Sequence, residues 1–159
     1  MGTFKRFEEI EAWQKARQLT REVYAASSKG AFAKDFVLRD QLRRAGVSVM
    51  GNIAEGFERG GTREFVQFLA MAKASAGEVK SHLYVALDQG YLDEAEFLRI
   101  SDIASDTGRV IGGLMKYLKS TGYEGPKYKG ESRQSGNRAR AQERKTRDSK
   151  LETRNGETV

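Results

Sequence analysis

Apolar residues recur at the helical period through residues 37–59, VLRDQLRRAGVSVMGNIAEGFER, and this constrains the chain more than any other feature. At about 100° per residue, Leu38, Leu42, Ala45, Gly46, Val49, Ile53 and Gly56 fall on one arc. Val47, Met50, Ala54 and Phe57 widen the apolar surface well beyond one buried stripe, and Arg39 and Arg43 sit within this second zone. Arg44 lies on the polar side. A helix with two apolar arcs calls for two partners, one inside its own subunit and one on another subunit. Val47, Met50, Ala54 and Phe57 are therefore the expected subunit interface.

Three further segments carry the same period, and none shows the alternation of a half-buried strand. The first runs from about Phe7 to Ser27, with Ile10, Trp13, Ala16, Thr20 and Tyr24 expected on its inner face and Gly30 suited to a left-handed close. Gly60-Gly61 ends the second, and Thr62 is the expected N-cap of the third. That third segment, from Arg63 to about Gln89, has an inner face of Phe65, Phe68, Leu69, Ala72, Ser75, Ala76, Val79, Leu83, Ala86 and Leu87. Asp93 opens the fourth with Glu96 at capping-box spacing, and Leu92 and Phe97 stand as a hydrophobic staple. A stripe from Phe97 through Ile100, Ala104, Thr107 and Ile111 to Leu118 carries it to about Ser120. Four helices with short loops make antiparallel neighbours, so the fold class is all-α, an up-down-up-down four-helix bundle over residues 1–120.

From Thr121 the character changes. The lone proline, Pro126, falls here, and residues 121–159 are rich in Gly, Ser, Arg and Glu with few apolar side chains. Such a stretch buries too little surface to offset its ordering entropy, and a disordered basic tail is expected. Residues 1–120 hold 18 Lys+Arg against 16 Asp+Glu, net +2, and the tail holds 10 against 6, net +4, which accounts for the chain's +6. The balance is compatible with nucleic acid as partner.

Composition narrows the chemistry. There are no cysteines and one histidine, His82, so thiolate metal sites and disulfides are excluded and no cofactor is expected. Glu78 stands one turn before His82, but a bundle di-metal site wants Glu-x-x-His on two helices with further inward carboxylates. No nucleophile elbow, phosphate-binding loop or dinucleotide fingerprint occurs, so an enzyme is not expected. The N-terminal residues have no long apolar core, and a cytoplasmic protein without a membrane partner is expected.

Several short stretches, taken together, resemble a known family. Phe7 to Ala16, FEEIEAWQKA, is similar to its opening F-x-x-L-x-x-W-x-x-A pattern. Gln41-Leu42-Arg43-Arg44-Ala45 followed by Asn52-Ile53-Ala54-Glu55-Gly56 resembles its hallmark. Arg63 to Leu69 and Gly90-Tyr91-Leu92 fit as well. The family is that of the 23S rRNA intervening-sequence proteins, whose relatives include the accessory variability determinants of diversity-generating retroelements. Met50-Gly51 departs from the Pro-Ser the family has before the asparagine. The resemblance covers about residues 4–120. It implies a homopentameric barrel of four-helix bundles without catalytic activity, binding of structured RNA or DNA in some members, and a reverse transcriptase partner in the retroelement branch.

Within the hallmark, Asn52 is expected to hydrogen-bond a neighbouring helix and fix register, and Glu55 to pair with Arg59 at i+4. The basic residues Lys15, Arg17, Arg21, Arg39, Arg43, Arg44, Arg59 and Arg63 are the candidate nucleic-acid contacts of the bundle. Arg138, Arg140, Arg144, Lys145 and Arg147, with Arg133 and Lys150, are those of the tail. Contacts of this kind would reach phosphates rather than bases. Two readings follow: a nucleic-acid-binding accessory protein, or a protein-interaction scaffold whose charge serves solubility.

Overall fold

The computed structural model describes residues 4–123. A 3-10 turn at Phe7–Glu9 leads into α1 (Glu11–Ser27), and a second at Phe32–Lys34 precedes α2 (Phe36–Glu58). Then come α3 (Thr62–Asp88) and α4 (Glu94–Ser120). Each helix packs against its sequence neighbours and α1 closes against α4, so the four stand in a square, antiparallel in turn. This is the expected bundle. The Met50-Gly51 pair causes no break, since α2 is continuous through it.

The helix ends are set by local chemistry. Asp35 caps α2, its carboxylate accepting from Leu38 N at 3.0 Å, and Asp93 caps α4, accepting from Glu96 N at 2.8 Å. Leu92 and Phe97 are both buried in one cluster, as a staple requires. Gly30 and Gly60 take positive φ (49° and 73°) and turn the chain where a side chain would be strained. Thr62 is not the cap of α3. Gly61 holds that position, and Thr62, already helical, donates its hydroxyl to the Tyr123 carbonyl and ties the end of the described chain to the α2–α3 turn.

The inner face of α1 differs from the expected one. The buried row is Ala12, Ala16, Leu19, Val23 and Ala26, with Ser27, while Trp13 and Thr20 are half-buried and Tyr24 is exposed. The row Trp13, Thr20, Tyr24 is rotated about 100° from it and borders α2, where Thr20 Oγ1 donates to the Gly46 carbonyl at 2.9 Å. The alanines pack inside around Leu19 and Val23, and the large amphipathic residues fall to the rim where their polar ends stay wet.

Buried apolar residues form two clusters. One gathers Leu19, Val23, Phe32, Leu38, Leu42, Leu83 and Ile100, and the other Ile10, Val49, Ile53, Phe65, Leu69, Ile111 and Leu118. Between them lies a waist of small and hydroxyl residues. There Ser48 and Ser75 hydrogen-bond across α2 and α3 at 2.9 Å, and buried Thr107 donates to Ile103 O at 2.8 Å within α4. No buried side-chain nitrogen or oxygen among the described residues lacks a partner, as a well-packed interior demands.

Candidate nucleic-acid interface

The hallmark segment lies where α2 meets α3. Asn52 does not reach across to α3. Its amide donates to Ser48 O at 2.9 Å and Ser48 Oγ at 3.0 Å on its own helix, and Ser48 makes the crossing to Ser75. Ser48, one turn earlier on α2, takes both donor bonds of the amide. Glu55 pairs with Arg59 at 2.7 Å, as the i+4 spacing predicts. At Gly56 the two helices come close enough to leave no room for a side chain. A Cβ built there would stand 2.6 Å from Phe68 Cβ and 3.0 Å from a Phe65 ring carbon.

The outer arc of α2 divides. Met50 and Phe57 are half-buried and pack, with Phe4, Phe7 and Trp13, against the second cluster, because the 3-10 turn before α1 lies against α2. Ala54 is half-buried. Val47 is 49% exposed, and Phe36 and Val37, which periodicity placed outside the interface set, are 63% and 78% exposed.

The predicted cations fall into three groups. Arg39, Arg43 and Arg44 lie on the first half of α2, and Arg17 and Arg21 on α1. Arg43 donates to Ser27 Oγ (2.8 Å) and Ser28 Oγ (2.9 Å), and its guanidinium lies over the Tyr24 ring at 4.6 Å. Arg39 donates to Ala33 O at 3.0 Å and to Asp40 at 2.9 Å, over the Phe36 ring. These two brace the corner between α1 and α2. Arg17 lies over Trp13, and neither it, Arg21 nor Arg44 has an ion-pair partner among the described residues; all three are exposed. Tyr24, Asp40, Arg43, Arg44, Val47 and Ser48 line an open hollow of about 540 Å³ on this side.

Lys15 is elsewhere. It pairs with Asp106 on the α1–α4 side, and that contact, with Arg109 second, holds the Asp106 carboxyl below its ordinary value. Arg59 and Arg63 stand at the α2–α3 corner, Arg59 over Phe68. Its bond to Glu55 raises its already high pKa further. The tail cations Arg138, Arg140, Arg144, Lys145 and Arg147 lie outside the described residues. His82 and Glu78 meet at 3.3 Å, and no group of three potential metal-ligating side chains occurs among the described residues.

Sequence reading missed Tyr24 as a surface group. Its spacing to Arg17 and Arg21 and the Tyr24–Ser27–Ser28 run were the available signal. It also missed Lys73, Lys116 and Lys119, which surround a hollow between α3 and α4.

An antiparallel four-helix bundle with its hallmark at the α2–α3 contact defines a class of small all-α proteins. Residues 8–113 match the model of the 23S rRNA-intervening sequence protein family, and the chain belongs to that family. Among solved structures it is similar to a protein of unknown function from the S23 ribosomal protein family of Bacteroides thetaiotaomicron. The two share 19% identity with a TM-score of 0.60, covering 66% of this chain and 98% of that one. At this identity the likeness bears on the fold. No curated protein matches the chain. No helix among the described residues is long and apolar enough to cross a membrane.

Proposed function

We propose that this is a non-enzymatic, oligomeric accessory protein that contacts the phosphates of RNA or DNA through the α1–α2 face. One observation carries the reading. Arg43 and Arg44 line one hollow beside Tyr24; Arg39 and Arg43 are fixed by hydroxyls, a carbonyl, aromatic rings and, for Arg39, the Asp40 carboxylate, while Arg17, Arg21 and Arg44 are exposed without ion-pair partners among the described residues. A guanidinium already held in place loses little freedom on meeting a phosphate. The family's name points to ribosomal RNA, which makes structured RNA the first polyanion to try. A reverse transcriptase is the partner enzyme in this reading.

The test replaces Arg17, Arg21 and Arg44 with glutamine and spares the two bracing arginines. Each lost phosphate contact should flatten the slope of log K against log salt by about 0.7 on single strands or about 0.9 on duplex DNA. Affinity should fall for all sequences alike. An unchanged slope overturns the α1–α2 assignment.

Exposed Phe36, Val37 and Val47 favour a self-associating surface beside these arginines. Light scattering should then give a multiple of 17.8 kDa, five-fold if the pentamer implied by the family resemblance forms. A monomer at micromolar concentration excludes it and leaves an unassembled binding module. Were no nucleic acid bound, a protein scaffold would be the remaining reading.

A further inference from the structure

The charge on α3 and α4 is distributed unlike that on α1 and α2. Between Glu64 and Glu78, α3 carries one charged residue, Lys73; after Asp106, α4 carries Arg109, Lys116 and Lys119. Two adjoining antiparallel segments, residues 65–77 and 107–120, thus hold four cations and no carboxylate. Lys73, Lys116 and Lys119, with Gly112, Met115 and Ser120, line an open hollow of about 440 Å³. Its floor is bare backbone at Gly112, where a Cβ would sit 3.6 Å from Lys73 Nζ. None of the three lysines has an ion-pair partner among the described residues.

The ordinary explanation for lysines near a helix C-terminus is that they complement its exposed carbonyls. It falls short here. Lys73 stands in the middle of α3. Of the three lysines, Lys119 alone stands in the last turn of α4. Like charges on facing helices repel, and nothing in the fold requires them.

We propose that Lys73, Lys116 and Lys119 form a second phosphate-backbone contact, on the side of the bundle opposite the arginines. In a square where α1 touches α2 and α4, the α3–α4 crevice is opposite the α1–α2 crevice. Ammonium groups act as point charges that accept a phosphodiester in many orientations. The hollow offers no deep apolar pocket to anchor a peptide side chain, and a repeating polyanion is the ligand that matches spaced, unpaired cations. One subunit then grips two segments of nucleic acid at once. This rests on the nucleic-acid reading above but concerns a different face.

Anisotropy titrations of the full chain against a short labelled single-stranded RNA, at salt between about 50 and 200 mM, test it with separate variants. K73Q/K116Q/K119Q should flatten the log–log slope by about 2, removing about a 20-fold part of the affinity loss across that range. K116Q alone should flatten it by about 0.7, and serves if the triple variant melts early by circular dichroism. An unchanged slope in the lysine variants, with R17Q/R21Q/R44Q flattened, overturns the second site and leaves the first. The converse pattern keeps the lysine site and removes the arginine face. Wild-type protein that binds no RNA or duplex DNA removes both. Polyglutamate competing as well as RNA of equal charge would show a general carboxylate site and overturn the phosphate assignment.

Discussion

The two ends of the bundle are closed by opposite means. At the end of the α1–α2 and α3–α4 loops, side chains do the closing. Phe32, in a 3-10 turn, is buried and stacks on Tyr91 at 5.2 Å, and the Tyr91 hydroxyl donates to Asp35, the cap of α2, at 3.0 Å. That bond is the chief reason the Tyr91 hydroxyl is harder to ionise than usual. Arg43 ties the same corner to α1 through Ser27, and Arg39 ties α2 to the loop carbonyl of Ala33. At the other end, besides the Thr62 tie to Tyr123, the approach rests on glycines: Gly56 leaves room for α3 against α2, and Gly60-Gly61 turn the chain between them. One end depends on particular side chains being present, the other on one being absent.

The largest expected effect is at the side-chain end. Phe32→Ala should lower stability by about 3–5 kcal/mol, because it leaves a cavity beneath Tyr91. Chemical denaturation with an unchanged m-value would confirm it, and a loss under 1 kcal/mol would show that the loop is not part of the core. At the backbone end, Gly56→Ala should remove about 3 kcal/mol through overpacking. Its partner experiment is Gly51→Ala, where a Cβ meets nothing within 4 Å. That change should stabilise the protein by about 0.5–1 kcal/mol, as alanine does in an open helix. Equal effects at 51 and 56 would erase the distinction between the two glycines.

The smallest effect belongs to neither end. Asp106, on the α1–α4 side, has its folded pKa held below the ordinary 3.8 by Lys15 and Arg109. A depressed carboxyl contributes stability that is fully present above its unfolded value and is lost as pH falls through the folded one. Melting temperature between pH 4 and 2 should therefore fall less steeply in Asp106→Asn than in the wild type. A parallel decline in both would remove that role.

Much of this was legible in the sequence, for identifiable reasons. The four helices and the Asp93 cap follow from period and spacing, and the Glu55–Arg59 pair follows from i+4 geometry. Phe32 did not, because a single aromatic in Ala-Phe-Ala-Lys belongs to no period. The face of α1 was misread by its largest residues: Trp13 and Tyr24 outweigh alanines on a wheel, but the buried row is Ala12, Ala16 and Ala26 around Leu19 and Val23. Asn52 was given a partner on the wrong helix, since nothing in one sequence says that Ser48 takes both bonds of its amide. Arg39, Arg43 and Arg44 were visible as a cluster on the second helix, and Arg17 and Arg21 as basic residues of the first. The lysine hollow was not, because its members lie far apart in the chain and meet only through the antiparallel pairing of α3 with α4.

The contact at Gly56 also bears on how this chain can evolve. The nearest atom to an added methyl is the Cβ of residue 68, not its ring. Trimming Phe68 to any other residue that has a Cβ leaves that atom in place. No single change at 68 short of glycine can then compensate for a side chain at 56, and Gly56→Ala with Phe68→Ala should fare no better than Gly56→Ala alone. Relief requires the helices to move apart along their length, which is many substitutions rather than one. Position 56 is thus closed to stepwise drift, whatever the rest of the surface is selected to bind.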